Sequence, residues 1–326
     1  MKKGASRGKP LDATCLLRKI LRTTAVIKED HVKKKPSSRQ ISELVWGWLF
    51  ILPTMLGLII LNIYPMIDTI KQSFYKTGDF GKGNKFVGLA NYEKVFGDSE
   101  VWQALANTIK YAIVEVPFSV VIALLLAVLL NKKLKGRSLF RTIFFLPMVV
   151  APAAVAMVWK WLYNSNFGLI NNTFHIKVNW ISDPKIAIYS IAVIGIWSVI
   201  GYNMVLFLAG LQEVPRDYYE AASLDGANGW QQLKSITIPL ISPTLFFVIV
   251  TRIIAGMQVF DLIYMLIDLN NPAWKKTESL VFLFYKYSFQ QSKKGYGATV
   301  VVVLLAFILI LTGIQLIGQK KWVHYE

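Results

Sequence analysis

Six long runs of apolar residues constrain this sequence more than any other feature. A hydrocarbon layer about 30 Å thick needs a helix of about 20 mainly apolar residues to cross it. Backbone groups in lipid must be hydrogen-bonded within the protein, and ten-residue alternating strands are absent, so the runs are predicted to be helices. The fold class is therefore predicted to be all-α, a polytopic membrane protein. The predicted spans are 45–65, 107–130, 142–159, 186–211, 240–267 and 297–318.

The distribution of positive charge predicts how these spans are oriented. The formal net charge is +17, and most Lys and Arg residues sit beside apolar runs, which argues against a nucleic-acid partner. Twelve lie before the first span and five lie in 131–141. Because Lys and Arg accumulate in cytoplasmic loops, both termini and the connection 212–239 are predicted to be cytoplasmic. The lysines of the fifth connection (Lys275, Lys276, Lys293 and Lys294) run against this rule.

Two domains are predicted from the change in composition near residue 43. Residues 1–43 form a basic cytoplasmic extension, and residues 44–326 form the transmembrane domain. Within the extension, residues 14–27 are either an amphipathic helix on the anionic inner leaflet or part of a disordered tail. The single cysteine, Cys15, excludes an intramolecular disulfide, and no metal site is predicted.

The connection 212–239 carries unusually clear local signals. Pro215 precedes a predicted helix that ends at Leu224, and Gly226 lies where a helix stop is expected. A second helix is predicted over 228–238, ending before Pro239. The result is a helix–turn–helix elbow on the membrane surface. Such an elbow could enter a groove of a partner protein or merely cap two spans, and its pattern alone leaves both readings open.

The same segment resembles the EAA signature of permease subunits from binding-protein-dependent ABC importers. The resemblance rests on Glu220-Ala221-Ala222, Asp225-Gly226-Ala227, Ile236, Pro239 and Pro243. Segments 86–96, 104–108, 137–152 and 197–215 are similar to the carbohydrate-uptake branch of that family. Leu233 and Ile238 are mild departures from the usual pattern. The similarity covers residue 45 to the C-terminus and leaves the basic extension outside.

This resemblance implies a type I ABC importer permease fold in a bacterial plasma membrane. It implies four kinds of partner: a second homologous permease, two ABC ATPase subunits, an extracellular solute-binding protein and a carbohydrate. The elbow then couples the ATPases to the spans, through Glu220, Ala221, Ala222, Asp225, Gly226, Ala227 and Pro239. The implied substrate is an oligosaccharide or related polyol. The alternative is a non-sugar or anionic solute, such as a glycerol phosphate or a uronate.

The chain itself is predicted to be non-catalytic. It lacks the G-x-x-x-x-G-K-[ST] phosphate loop, so ATP and Mg²⁺ are expected on the ATPase subunits and no cofactor on this chain. The HExxH and G-x-S-x-G motifs and paired carboxylates on one helix face are also missing, which disfavours a membrane-embedded enzyme. A channel or secondary transporter would show inverted repeats or broken helices, and neither is evident in the sequence.

Polar residues inside the spans are the candidates for the solute path. Gln258, Asp261 and Tyr264 recur every three residues and are predicted to form one stripe on a helix in the fifth span. The fourth span offers Trp197, Tyr202 and Asn203. Aromatic rings and hydrogen-bonding groups together suit a neutral polyol. The alternative is that these residues only hold helices together.

Three charged residues inside the spans receive separate predictions. Arg252 lies about 120° from Gln258 on a helix, and it is predicted to pair across a permease interface or with a backbone carbonyl. Glu115 and Lys110 are predicted to be a solvated pair near the outer surface.

Overall fold

The computed structural model describes residues 38–77, 84–132 and 135–324. Residues 1–37, which include most of the predicted basic extension and its segment 14–27, lie outside the described residues. The chain divides into two compact units at Pro65. The predicted domain boundary after residue 43 stays a prediction.

The described part of the first unit, residues 38–65, is helical throughout. Helix α1 (Ser38–Leu58) continues through a π-helical turn (Ile59–Ile63) into α2 (Tyr64–Gln72), which runs on into the second unit. Nearly all of the described side chains of α1 are exposed. A helix with apolar side chains on every side is typical of a membrane span.

Among the described residues of the second unit, the secondary structure is helical apart from one short antiparallel hairpin of β1 (Tyr75–Thr77) and β2 (Asn84–Phe86). The helices that follow are α3 (Ala90–Gly97), α4 (Ser99–Asn131), α5 (Arg137–Val149), α6 (Pro152–Leu162), α7 (Leu169–Phe174), α8 (Ala187–Glu213), α9 (Arg216–Leu224), α10 (Gly229–Gln232), α11 (Ile238–Leu240), α12 (Ser242–Met257), α13 (Asp261–Leu266), α14 (Trp274–Thr277), α15 (Leu280–Tyr285) and α16 (Lys294–Gly318). Two further π-helical turns (Leu233–Thr237 and Lys286–Gln290) and a 3₁₀ turn (Gln319–Lys321) join some of them.

Within the described residues, four helices are long and apolar enough to cross a membrane, and two bent helix pairs raise the number to six if each pair is one span. The four are Ser42–Gln72, Ser99–Asn131, Ala187–Glu213 and Lys294–Lys321. They coincide with the first, second, fourth and sixth predicted spans. The all-α, approximately six-span prediction is therefore confirmed.

The third predicted span is not one straight helix. Helices α5 and α6 meet at an angle of 100°. Pro152 is the first residue of α6, and the preceding Ala151 is extended, with ψ at 134°. Proline pushes the residue before it out of the helical region and lacks an N–H donor, so the helix breaks there.

The fifth predicted span is also interrupted, at two places. Helix α12 stops at Met257, and residues 258–260 leave the helix before α13 begins at Asp261. At the other end, the segment Gly229–Leu240 bends by 75° relative to α12, with Ile241 between them. Pro239 lies within the helical segment before this bend, whereas the sequence predicted that the helix ends before it.

Glycines allow helix α8 to lie against its neighbours. A Cβ at Gly195 would overlap the hydroxyl of Tyr111 on α4, and a Cβ at Gly201 would overlap the carbonyl of Phe144 on α5. Small residues are the usual means of close helix packing in membranes, where apolar burial between helices gains little. Helix α8 is thereby held between α4 and α5.

We expect Gly201→Ala to destabilise the protein by about 1–3 kcal/mol, because the methyl group would meet backbone that cannot move aside. The matched control is Gly313→Ala on α16, where no atom lies within 4 Å of the added carbon. Thermal unfolding of both purified variants in detergent measures the difference. Equal melting temperatures would contradict the packing described here.

Candidate functional site

The connection between α8 and α12 folds into the predicted elbow. Its first arm is α9, which begins directly after Pro215. Gly226 follows the arm with a φ of +79°, a left-handed conformation that glycine adopts without steric cost. The N–H of Ala227 donates to the carbonyl of Ala222 at 2.9 Å, which closes the end of the helix. The predicted first helix and its glycine stop are confirmed.

A capping box starts the second arm of the elbow. The Asn228 side chain accepts from the N–H groups of Trp230 and Gln231, at 3.1 and 3.0 Å. In return the Asn228 N–H donates to Gln231 Oε1 at 2.7 Å. Two backbone donors at the helix start are thus satisfied reciprocally. In the sequence this box is visible as Asn-x-x-Gln, a signal for the start of the second helix.

Side-chain hydrogen bonds tie the two arms together. Gln232 Nε2 donates to Ser223 Oγ at 3.0 Å and to the Ala227 carbonyl at 3.1 Å. Further along, the hydroxyls of Tyr219 and Thr237 are hydrogen-bonded at 3.1 Å. These contacts fix the angle between the arms, so the elbow can move as one body.

The elbow presents both charged and large apolar side chains. Among the predicted coupling residues, Glu220, Ala221, Asp225 and Gly226 are exposed, whereas Ala222, Ala227 and Pro239 are half-buried. Beside them, Leu224 is 89% exposed and Trp230 is 69% exposed. Large apolar groups exposed on such a polar segment are typical of an interaction surface. Leu224 and Trp230 were not among the predicted coupling residues, although a leucine and a tryptophan in a polar loop are visible in the sequence.

The three predicted solute-path residues of the fourth span differ in how exposed they are. Trp197 is 41% exposed and packs edge-on against Trp159 of α6, with ring centroids 5.6 Å apart. Tyr202 is also exposed. Asn203, by contrast, is buried, and within the described part of the chain its amide atoms have no hydrogen-bond partner. A place for Asn203 in the solute path stays a prediction.

The polar stripe predicted for the fifth span does not exist as one helix face. Gln258 follows the last residue of α12, whereas Asp261 and Tyr264 belong to α13. Gln258 lines a cavity of about 220 Å³, together with Met66, Thr69 and Ile70 of α2 and apolar residues of α16. The spacing of three residues fits a continuous helix, but the chain is not helical between Gln258 and Asp261. A role for these residues in the solute path stays a prediction.

Tyr264 instead belongs to an aromatic cluster on the far side of the break. Its ring lies 5.3 Å from that of Phe260 and 5.3 Å from that of Tyr285. Phe282 packs against the same rings. Because Tyr264 remains 43% exposed, the cluster presents aromatic surface beside the exposed Asp261. Sequence reasoning missed Tyr285 because it lies 21 residues from Tyr264 in the chain.

A buried ion pair joins α4 to α12. Arg252 Nη2 lies 2.6 Å from Glu115 Oε1, and the Glu115 side chain is completely buried. Two predictions were therefore wrong: Glu115 is not a solvated partner of Lys110, and Arg252 pairs with a carboxylate of its own chain. Gly256, one turn beyond Arg252, packs close to the same carboxylate. Ionisable groups inside a membrane protein find each other because the alternative is an unpaired charge in a low-dielectric interior.

A second polar cluster lies at the N-terminal end of α4, around Glu100. Lys286 Nζ lies 2.6 Å from Glu100 and 3.4 Å from Glu278. Glu278 is 2% exposed, and this burial raises its pKa to about 7 although Lys286 lowers it. In the part of the chain that the structure describes, no group of three His, Cys, Asp or Glu residues could hold a metal ion.

Comparison with known families supports the sequence resemblance. The family model for the inner membrane component of binding-protein-dependent transport systems matches residues 119–323. The trehalose/maltose permease protein MalF of Thermococcus litoralis is 33% identical over 280 residues, which is 85% of this chain and 93% of that protein. The sn-glycerol-3-phosphate permease protein UgpA of Agrobacterium fabrum is 31% identical over 282 residues, covering 85% of this chain and 96% of its own.

A solved structure has the same fold. A bacterial alginate ABC transporter, crystallised with an alginate pentasaccharide-bound periplasmic protein, contains a chain that aligns with a TM-score of 0.78. The alignment covers 88% of the present chain and 98% of that one, at 20% identity. The fold is therefore the type I ABC importer permease fold, as the sequence resemblance implied.

Removing one partner of the buried ion pair should be strongly destabilising. We expect Glu115→Ala to cost about 3–5 kcal/mol, because it leaves the Arg252 guanidinium without a counter-charge. The double change Glu115→Leu with Arg252→Met should cost less than the single change. The control is Glu43→Ala, which breaks the exposed pair with Arg39 and should have little effect. Thermal unfolding in detergent measures all four proteins, and a double variant no more stable than Glu115→Ala would refute the pairing.

The raised pKa of Glu278 predicts a pH dependence of stability. The carboxyl ionises near 4.5 when unfolded and near pH 7 when folded, so its favourable contribution is complete below pH 4.5 and is lost as the pH rises through 7. Glu278→Gln should therefore gain melting temperature relative to the unmodified protein between pH 4.5 and 7. The exposed Glu93→Gln serves as the control. A constant difference across this range would contradict the assignment.

Proposed function

This chain belongs to the family of inner membrane components of binding-protein-dependent transport systems, and we propose that it is a permease subunit of an ATP-driven importer for an oligosaccharide or related polyol. The observation that carries the proposal is the rigid elbow, with exposed Glu220, Asp225, Leu224 and Trp230 on a segment of few residues. An elbow of this kind has the size and chemistry of a contact for another protein, and no catalytic group lies on it.

In the proposed mechanism the elbow is the mechanical input. Two ATPase subunits bind and hydrolyse ATP, and one of them receives the elbow in a cleft. Closure of the ATPases then moves the elbow as a rigid body and switches the spans between two packed arrangements. A second homologous permease completes the path, and an extracellular binding protein delivers the solute. The basic residues at 131–141 support a cytoplasmic elbow and cytoplasmic termini.

The chemistry of the predicted path favours a neutral polyol. Aromatic rings at Trp197 and Tyr264 can stack on the C–H faces of a sugar, and Tyr202 and Asp261 can bind hydroxyl groups. The charge of Arg252 is already matched by Glu115 at 2.6 Å, so it is not available to an anionic solute. One relative is named as an sn-glycerol-3-phosphate permease. The experiment below therefore also tests an anionic solute.

Changes at the elbow should abolish transport without preventing membrane insertion. Gly226→Pro cannot adopt the left-handed turn, and Leu224→Asp removes the most exposed apolar contact. The matched controls are Gly226→Asn, since Asn tolerates that conformation, and Leu224→Met. Loss of a central interface residue costs about 2 kcal/mol or more, which is about a 30-fold weaker contact. Glu220→Lys, which reverses an exposed charge, should act in the same direction.

The measurement is ATP-dependent uptake by vesicles that contain the full set of subunits, together with co-purification of the ATPases. Labelled neutral oligosaccharides and glycerol 3-phosphate are supplied in parallel with their binding proteins. Uptake of the oligosaccharide supports the proposed substrate class, and uptake of the phosphate alone overturns it. Normal uptake and ATPase binding in Gly226→Pro, Leu224→Asp and Glu220→Lys would refute the role of the elbow.

A further inference from the structure

The segment Trp322–His324, after the last span, returns to the start of the fifth span. The backbone N–H of His324 donates to Ser242 Oγ at 2.9 Å. The ring of Trp322 packs edge-on against Phe246, with centroids 6.0 Å apart. Ser242 and Phe246 are four residues apart on α12, so they lie on the same face of the helix. The segment therefore contacts the first turn of α12 at two points.

These contacts fall directly beside the 75° bend. Ile241 is the residue between the two bent helices, and Ser242 is the first residue of α12. Ser242 is only 1% exposed, so its hydroxyl is held in place by packing as well as by the hydrogen bond. The bend is where motion of the elbow must pass into the fifth span, because the chain runs through it from α11 to α12.

A cavity of about 200 Å³ lies at the same place. It is lined by Glu213, Val214 and Pro215, where the chain enters the elbow, and by Leu240 and Ile241, where it leaves. His324 lies on its wall. Well-packed helices cannot pivot without losing contacts, so open space beside a bend is the place where an angle can change. Residues 322–324 therefore bound the space into which the elbow could swing.

Resting on the proposed function, we propose that residues 322–324 form a strap that positions the bend and ties the sixth span, α16, to the first turn of α12. Displacement of the elbow then reaches the fifth and sixth spans together. Trp322 and Ser242 are positioning residues: they act on the angle of the elbow and contact neither solute nor nucleotide.

A simpler role for Trp322 makes a different prediction. Tryptophans commonly anchor helices at the membrane surface. An anchor alone would affect insertion or thermal stability and would leave the number of solutes transported per ATP unchanged. That ratio therefore separates the strap from an anchor.

The deciding variants differ by single groups. Ser242→Ala removes the acceptor oxygen, and His324→Pro removes the donor N–H, whereas His324→Ala retains the N–H and is the control. Trp322→Ala removes the ring contact, and Trp322→Phe restores an aromatic ring. In vesicles with all subunits, we expect Ser242→Ala, His324→Pro and Trp322→Ala to lower transported solute per ATP hydrolysed by about fivefold, in the range of couplings measured for residues remote from ligands. His324→Ala and Trp322→Phe should remain near the unmodified ratio.

Two outcomes overturn the strap. One is an unchanged ratio in Ser242→Ala and His324→Pro, and the other is an equal loss in His324→Ala and His324→Pro. If a bulkier substitution prevents assembly, the ratio measured for Ser242→Ala still tests the strap, because this substitution removes only one oxygen atom. Absence of oligosaccharide uptake with the unmodified chain refutes the proposed function itself, and normal uptake in Gly226→Pro, measured in the same vesicles, refutes the role of the elbow. Loss of uptake in Gly226→Pro with unchanged ratios in the strap variants refutes the strap alone.

Discussion

Inside a lipid bilayer, a peptide group that leaves a helix finds no water to replace its lost hydrogen bond, so protein must satisfy every interruption. The fifth span shows how this is done. After α12 ends, Ser279 Oγ donates to the carbonyl of Val259 at 2.7 Å. At the other bend, the N–H of Ile241 still donates to the Thr237 carbonyl at 3.0 Å. The chain can bend at these two places because hydrogen-bond partners exist there, one on a distant segment and one in the preceding turn.

Local chemistry made the elbow predictable from the sequence. Pro215 fixes its own φ, whereas Gly226 can adopt a positive φ without steric cost, and both properties hold in any fold, so the first arm and its stop follow from neighbouring residues alone. The long apolar runs were predictable for the same reason, since each must satisfy its own backbone. The solute-path residues were predicted less well, because their positions depend on contacts between distant segments.

The break at residues 258–260 illustrates that limit. Gln258, Asp261 and Tyr264 have a spacing that fits one face of a continuous helix, and nothing nearby in sequence argues otherwise. The stabilising partner of the break, Ser279, lies 20 residues further along. The partner of Arg252 lies 137 residues earlier in the chain. A pattern within one span cannot identify such partners, which is why Arg252 and Glu115 were both assigned to other surroundings.

These long-range contacts combine into one mechanical element. Helix α12 is held at its first turn by residues 322–324, in its middle by the Arg252–Glu115 pair, and just past its end by the Val259–Ser279 hydrogen bond. A helix fixed at three levels to three different segments cannot bend along its length without breaking a contact. Its remaining freedom is at Ile241, where the chain enters from the elbow. In the mechanism that we propose, a force applied at the elbow therefore changes the angle there or moves α12 together with the helices to which it is bound.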